Sequence, residues 1–268
     1  MSPLLPDADV RLSPRCRARI ETLYARYHRH EHVARDPLTC VYRYDHLADR
    51  EVVGLISAVL AYGNVKAILS ALDTVFARMG EHPAAYLQDR TPATIRRHFA
   101  GFRYRVTGEA DFVGLLLGMR KLLPEGLGPR ADWKAAEHPA QWPAGLVAMG
   151  EMVDRIVGEA GRPLGHLLPH PARGSACKRL NLYFRWMVRC DAIDPGGWKG
   201  LEPADLVVPL DTHLHRVAVT LGLTRRKQAN LAAAIEVTAG LRQIDPVDPL
   251  RFDFALTRPG ILKEAWRV

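Results

Sequence analysis

The chain has 268 residues, 48% hydrophobic and 7% aromatic, enough for one large domain or two small ones around a sizeable buried core. A formal net charge of +8 favours polyanionic partners, nucleic acid before anionic membrane. Cys16, Cys40, Cys177 and Cys190 lie far apart with no C-x-x-C pair, so their spacing supports neither an iron–sulfur cluster nor structural zinc, and they read as reduced thiols of a cytoplasmic protein.

Helical periodicity dominates. Met1–Asp7 lacks the basic-then-apolar order of a signal peptide, and no apolar segment approaches membrane-spanning length. Ser13-Pro14 opens a helix over 14–33, with proline at the first helical position. Residues 49–62 place Val52, Val53, Ile56, Val59 and Leu60 on one stripe, a buried helix that Gly63-Asn64 breaks. An amphipathic helix follows over 65–79, and Thr91-Pro92 caps a short third one. Phe112, Leu115, Leu116, Met119, Leu122 and Leu123 give residues 108–123 a helical face. The Pro-, Gly- and charge-rich stretch from Pro124 to Pro143 reads as a surface loop or insertion. Helix resumes over 144–159, is interrupted by an irregular connection over 161–173, and returns near 174–190, 211–221, 224–241 and 247–258. There is no strand alternation of any length, no repeat and no low-complexity tract, so the predicted fold class is all-α.

Two segments carry residues suited to chemistry. In Val208-Pro209-Leu210-Asp211-Thr212-His213-Leu214-His215-Arg216-Val217-Ala218, an apolar lead-in ends in an Asp at a helix start. A carboxylate there caps the N–H groups of the first turn or stands as an anion before a developing cation. Lys178, in Gly174-Ser175-Ala176-Cys177-Lys178-Arg179-Leu180, is the best candidate for a nucleophilic amine, 33 positions earlier. The Asp194-Pro195-Gly196-Gly197 connection can fold the later helix onto the earlier one. Removing a base from DNA builds positive charge on the deoxyribose, which a nearby carboxylate stabilises. Attack by a neutral amine yields a Schiff base and makes the 3′ C–O bond prone to β-elimination. Arg179, Arg185 and the helix start at Gly174-Ser175 supply the positive surroundings that favour a neutral amine.

The Pro209–Val217 run resembles the V-D-T-H-x-x-R-V segment of the helix-hairpin-helix DNA glycosylases, the endonuclease III-like superfamily. Glu51–Tyr62 looks like the early buried helix of that fold, and Gly101-Phe102-Arg103-Tyr104-Arg105 like its G-x-x-Y-R/K turn before another helix. The matches span residues 48–258, with the Asp211 segment the specific one. The spacing of 33 between Lys178 and Asp211 is closest to the archaeal 8-oxoguanine glycosylase branch. This resemblance implies Lys178 as nucleophile, Asp211 as its carboxylate partner and an oxidised purine as substrate. It implies a single glycosylase-like unit over 1–268, with a central helical subdomain at 48–165 and a second, at 1–47 plus 166–268, carrying the Lys/Asp pair beside a cleft. Three features depart from the superfamily. His170-Pro171-Ala172-Arg173-Gly174-Ser175 stands in place of the L-P-G-V-G hairpin. Gly63-Asn64 replaces a glutamine at the end of the early helix, and the cluster cysteines are missing.

Glycosylases flip the target nucleotide into a pocket. Tyr62, Trp198, Asn64 and Asp253 are the candidates to stack on or hydrogen-bond the base, with Tyr183, Phe184 and Trp186 as further aromatic candidates. The backbone N–H groups of Gly174 and Ser175, with Arg173, Arg179 and Arg216, are the candidates for phosphate. Arg225, Arg226 and Lys227 add charge. His213 and His215 diverge at i, i+2 on a helix, and His28, His30 and His32 share that fault, so no metal site is expected. The expectation is a cytoplasmic, nucleoid-associated monomer that acts on damaged DNA as a bifunctional glycosylase and AP lyase. No cofactor and no membrane partner is expected. The alternatives are a non-catalytic DNA-binding protein of the same fold and a helical interaction scaffold.

Overall fold

Ser13 Oγ accepts the Cys16 N–H at 3.2 Å and Pro14 occupies the first helical position, so α1 (Pro14–Tyr27) starts where the sequence indicates. The computed structural model describes residues 12–129 and 142–262; Met1–Asp7 and residues 130–141 of the expected surface loop lie outside them. Helix α1 stops at Tyr27 rather than 33. The chain continues in two 3-10 turns, His30–Arg35 and Pro37–Arg43, separated by an extended Asp36. Pro37 disfavours helical backbone at the residue before it, and Asp36 Oδ1 accepts the Leu38 N–H at 3.1 Å, capping the second turn.

Helix α2 (Leu47–Val59) is buried at every residue from Glu51 to Val59, the mark of a helix surrounded by protein. It packs on the 37–43 turn and on the helices Pro83–Asp89 and Lys178–Val188. Then follow α3 (Val65–Met79), α4 (Pro83–Asp89), α5 (Pro92–His98), a two-stranded antiparallel hairpin of β1 (Arg103–Tyr104) and β2 (Thr107–Gly108), α6 (Glu109–Leu122) and α7 (Ala144–Ala160). Helices α6 and α7 approach closely at Gly118, where a Cβ would lie 2.4 Å from the Ile156 carbonyl oxygen. The last stretch comprises α8 (Lys178–Val188), α9 (Thr212–Thr220), α10 (Leu231–Arg242) and α11 (Asp253–Ile261), with α11 against α1 and α9. Among the described residues the fold is all-α apart from the small hairpin. Among the described residues no helix is long and apolar enough to cross a membrane.

Three further boundaries differ from the sequence reading for local reasons. Helix α8 begins at Lys178, not 174, because Gly174 (φ 77°) and Cys177 (φ 45°) are left-handed. Helix α10 begins after Asn230, whose Oδ1 accepts the Ala233 N–H at 3.0 Å. Helix α11 is preceded by a 3-10 turn over Pro249–Phe252.

Candidate active site

Lys178 is the first residue of α8, and the chain reaches it through a strained step. Cys177 holds a left-handed backbone without being glycine, a conformation worth about 1–3 kcal/mol of strain. It is held there by the Ser175 Oγ, which accepts the Cys177 N–H at 3.2 Å, and by its own thiol, which donates to the Pro169 carbonyl at 3.4 Å. Burial pushes that thiol up to about 11, so it stays protonated. Among the described residues the half-buried Lys178 amine has no hydrogen bond or ion pair.

Asp211 caps α9. Its Oδ1 accepts the N–H groups of His213 at 2.9 Å and Leu214 at 2.8 Å. Oδ2 has no hydrogen bond with any described residue. Lys178 and Asp211, from two different helices, line one cavity of about 810 Å³. The end of α2 and start of α3 (Ala61, Gly63, Val65) form one wall, and the 3-10 turn at Glu31–Asp36 forms another. Asp253 and Arg185 also line it, and Arg185 lies two helical turns beyond Lys178 on α8.

Asp253 is buried and joins a charge network that reaches the cavity wall. Arg185 Nη1 donates to Asp253 Oδ2, while Arg185 Nε and Nη2 donate to Asp194 Oδ1 at 3.2 and 3.0 Å. Arg189 donates to the other oxygen of Asp194, to Asp191 at 2.6 Å and to Asp248 at 2.9 Å. Burial raises the Asp253 carboxyl above its ordinary range, against the opposing pull of Arg185. Asp194 is raised in the same way, with Arg185 and Arg189 opposing. Removing one partner of such a buried set leaves an uncompensated charge, which is strongly destabilising.

The other expected contacts are placed differently. Trp198 is buried in the core rather than in the cavity. Its Nε1 donates to Glu51 Oε1 at 2.6 Å, and its ring meets Tyr183 and Phe184 edge-on. Trp186 is fully buried. The Tyr62 hydroxyl donates to the Tyr104 carbonyl at 3.0 Å while the Tyr104 hydroxyl donates to the Tyr62 carbonyl at 2.6 Å, so Tyr62 locks the hairpin to the end of α2. Asn64 caps α3, accepting the Lys66 N–H at 2.9 Å, and neither Tyr62 nor Asn64 lines the cavity.

Arg179 corrects the phosphate set. It donates to the carbonyls of Val59 and His166 and lies over the Tyr62 ring at 5.0 Å, so its guanidinium is engaged within the protein. Gly174 and Ser175 open no helix: the Gly174 N–H donates to Pro171 O at 3.0 Å, closing a 3-10 turn. Arg173 and Arg216 are exposed. Arg226 pairs with Glu236 at 2.6 Å. The His215 ring meets the Arg226 carbonyl at 2.9 Å, and no group of three or more metal-ligating side chains occurs among the described residues.

Sequence reasoning missed the wall at Glu31–Asp36 and, facing it from α11, Arg258, both of which line the cavity. The signal was the proline after Asp36, which ends helical backbone before it.

The family described as "Protein of unknown function (DUF2400)" matches residues 36–262. The chain belongs to the DUF2400 family. The matched span of this DUF2400 chain includes Asp36, Lys178, Asp211, Asp253 and Arg258, and leaves Glu31 and Arg35 outside it. No curated protein and no solved structure compared with the chain matches it.

Proposed function

We propose that the cavity is the active site of a bifunctional DNA glycosylase and AP lyase of the helix-hairpin-helix type. Its substrate is damaged DNA, with 8-oxoguanine the favoured base. The observation that carries this reading is Lys178 and Asp211 lining one cavity from the first turn of α8 and the cap of α9. The cavity volume suits an everted nucleoside, and the net charge of +8 suits a polyanion.

In this reading the Lys178 nitrogen bonds to C1′ as the glycosidic bond breaks, and the departing base takes up the proton the amine sheds. Opening of the sugar ring gives the imine. Loss of a C2′ proton then expels the 3′ phosphate as the 3′ C–O bond breaks. Asp211 presents Oδ2 to the positive charge on the sugar while Oδ1 stays bound to the helix. A nucleoid-associated, cytoplasmic monomer of two helical subdomains goes with this reading.

Strand cleavage of duplexes carrying 8-oxoguanine tests it. Wild-type protein nicks the strand at the lesion, and Lys178→Gln does not. Wild-type protein that leaves 8-oxoguanine, uracil and abasic duplexes intact overturns the reading, and salt-sensitive binding in that case marks a DNA-binding protein without chemistry.

A further inference from the structure

The cavity wall contains a buried arginine whose bonding is unfinished. Arg258, on α11, is 5% exposed and lines the cavity. Its Nη1 donates to the His32 carbonyl at 3.3 Å, and its Nη2 reaches Asp36 Oδ2 and Thr257 Oγ1, both at 3.4 Å. All three contacts are long for a guanidinium. Its Nε is buried with no partner among the described residues. The other two buried arginines nearby are different: Arg185 and Arg189 each hold carboxylates at 3.0 Å or less. One face of the Arg258 guanidinium is covered by the Phe254 ring at 3.9 Å. A buried, loosely paired guanidinium in a cavity wall has N–H capacity for a ligand acceptor.

The surroundings select the acceptor. Asp36 and Asp253 both line the cavity with Arg258. Asp253 is already paired with Arg185, which leaves the Asp36 carboxylate beside the guanidinium to repel a phosphate but not a neutral carbonyl oxygen. Asp36 uses Oδ1 for the Leu38 N–H and Oδ2 for Arg258, and each oxygen keeps a lone pair for one more N–H. An acceptor site and a donor site, side by side, complement a ring edge on which a carbonyl adjoins an N–H.

We propose that Arg258 and Asp36 read a lactam edge of the everted base, Arg258 donating to the carbonyl oxygen and Asp36 accepting the neighbouring N–H. The site therefore takes oxo-bases such as 8-oxoguanine, hypoxanthine or uracil and rejects purines without that edge, such as 1,N6-ethenoadenine. This inference rests on the glycosylase reading of the same cavity.

The test compares wild type, Arg258→Gln and Asp36→Asn on three duplexes carrying 8-oxoguanine, hypoxanthine or 1,N6-ethenoadenine, and on a fourth carrying a preformed abasic site. Wild type excises the two oxo-bases and leaves ethenoadenine. Each substitution lowers oxo-base excision by about 10- to 100-fold, the loss of one hydrogen bond to a charged group. The abasic duplex presents no base edge, so borohydride-trapped adduct on it stays within about twofold of wild type. Variants that lose the abasic-site adduct as fully as excision make the two residues structural supports and overturn the inference. So does a wild type that excises ethenoadenine as well as hypoxanthine. A wild type that forms no adduct on any duplex overturns the glycosylase reading itself, an outcome distinct from both.

Discussion

Asp211→Asn separates the two jobs open to this carboxylate. The cap rests on one oxygen, Oδ1, which accepts from His213 and Leu214 at 2.9 and 2.8 Å. An asparagine carbonyl accepts the same two N–H groups, and Asn and Asp are near-equal caps. Asp211→Asn therefore changes stability by less than about 0.5 kcal/mol, whereas Asp211→Ala costs about 1 kcal/mol. For a chain of this size 1 kcal/mol moves Tm by about 2–4 °C. Differential scanning calorimetry then finds Asp211→Asn within about 2 °C of wild type and Asp211→Ala measurably lower. In the proposed reaction the rate depends on the charge rather than on the cap. Loss of the anion facing the sugar removes electrostatic stabilisation worth about 10²- to 10³-fold in rate. Single-turnover excision on an 8-oxoguanine duplex thus falls by that factor in both variants, although only one is destabilised. Near-wild-type excision by a folded Asp211→Asn protein would reduce Asp211 to a helix cap and refute the reasoning.

Further outcomes follow from packing and burial. Gly118→Ala places a methyl 2.4 Å from the Ile156 carbonyl, forcing α6 and α7 apart. Overpacking of about 1–3 kcal/mol outweighs the roughly 1 kcal/mol gained in helix propensity, so Tm falls. Gly158→Ala on the exposed side of α7 meets nothing within 4 Å and raises Tm instead; equal melting shifts in the two variants would contradict the packing. Burial raises the Glu51 carboxyl, with the hydrogen bonds from Trp198, Leu127 and Gly128 opposing. The folded state then holds this proton more tightly than the unfolded chain, so the Glu51 contribution is greatest in acid and declines as pH rises from about 4 through the raised value. Urea titrations of wild type and Glu51→Gln at stepped pH will show the difference moving in favour of Gln towards neutrality. A difference constant from pH 4 to 7 would contradict the shift.

The sequence yields helices best where one local device sets each end. The Asn64 cap and Gly80 (φ 80°) bracket α3, which spans 65–79 as periodicity predicts. It fails where the backbone leaves the helical region without a glycine: nothing in Ala176-Cys177-Lys178 announces a left-handed cysteine, so α8 is read as starting four residues too early. It also merges α1 with the following 3-10 turns. That conceals the wall at Glu31–Asp36, since the charged run His28–His32 has the composition of a solvated face. Lys178 and Asp211 are legible because each stands at a helix start, where position along the chain fixes which end of the helix a side chain occupies. Trp198 and Arg179 are not, because both are fixed by distant partners: Glu51 lies 147 positions from the first, and Val59 lies 120 from the second.

The most direct measurement is the site of covalent capture. Wild-type protein treated with borohydride in the presence of an abasic-site duplex, then digested and mapped by mass spectrometry, carries the reduced deoxyribose adduct on the peptide containing Lys178. Adduct on another lysine, or adduct undiminished in Lys178→Gln, would place the reacting amine elsewhere and remove the chemistry from this cavity.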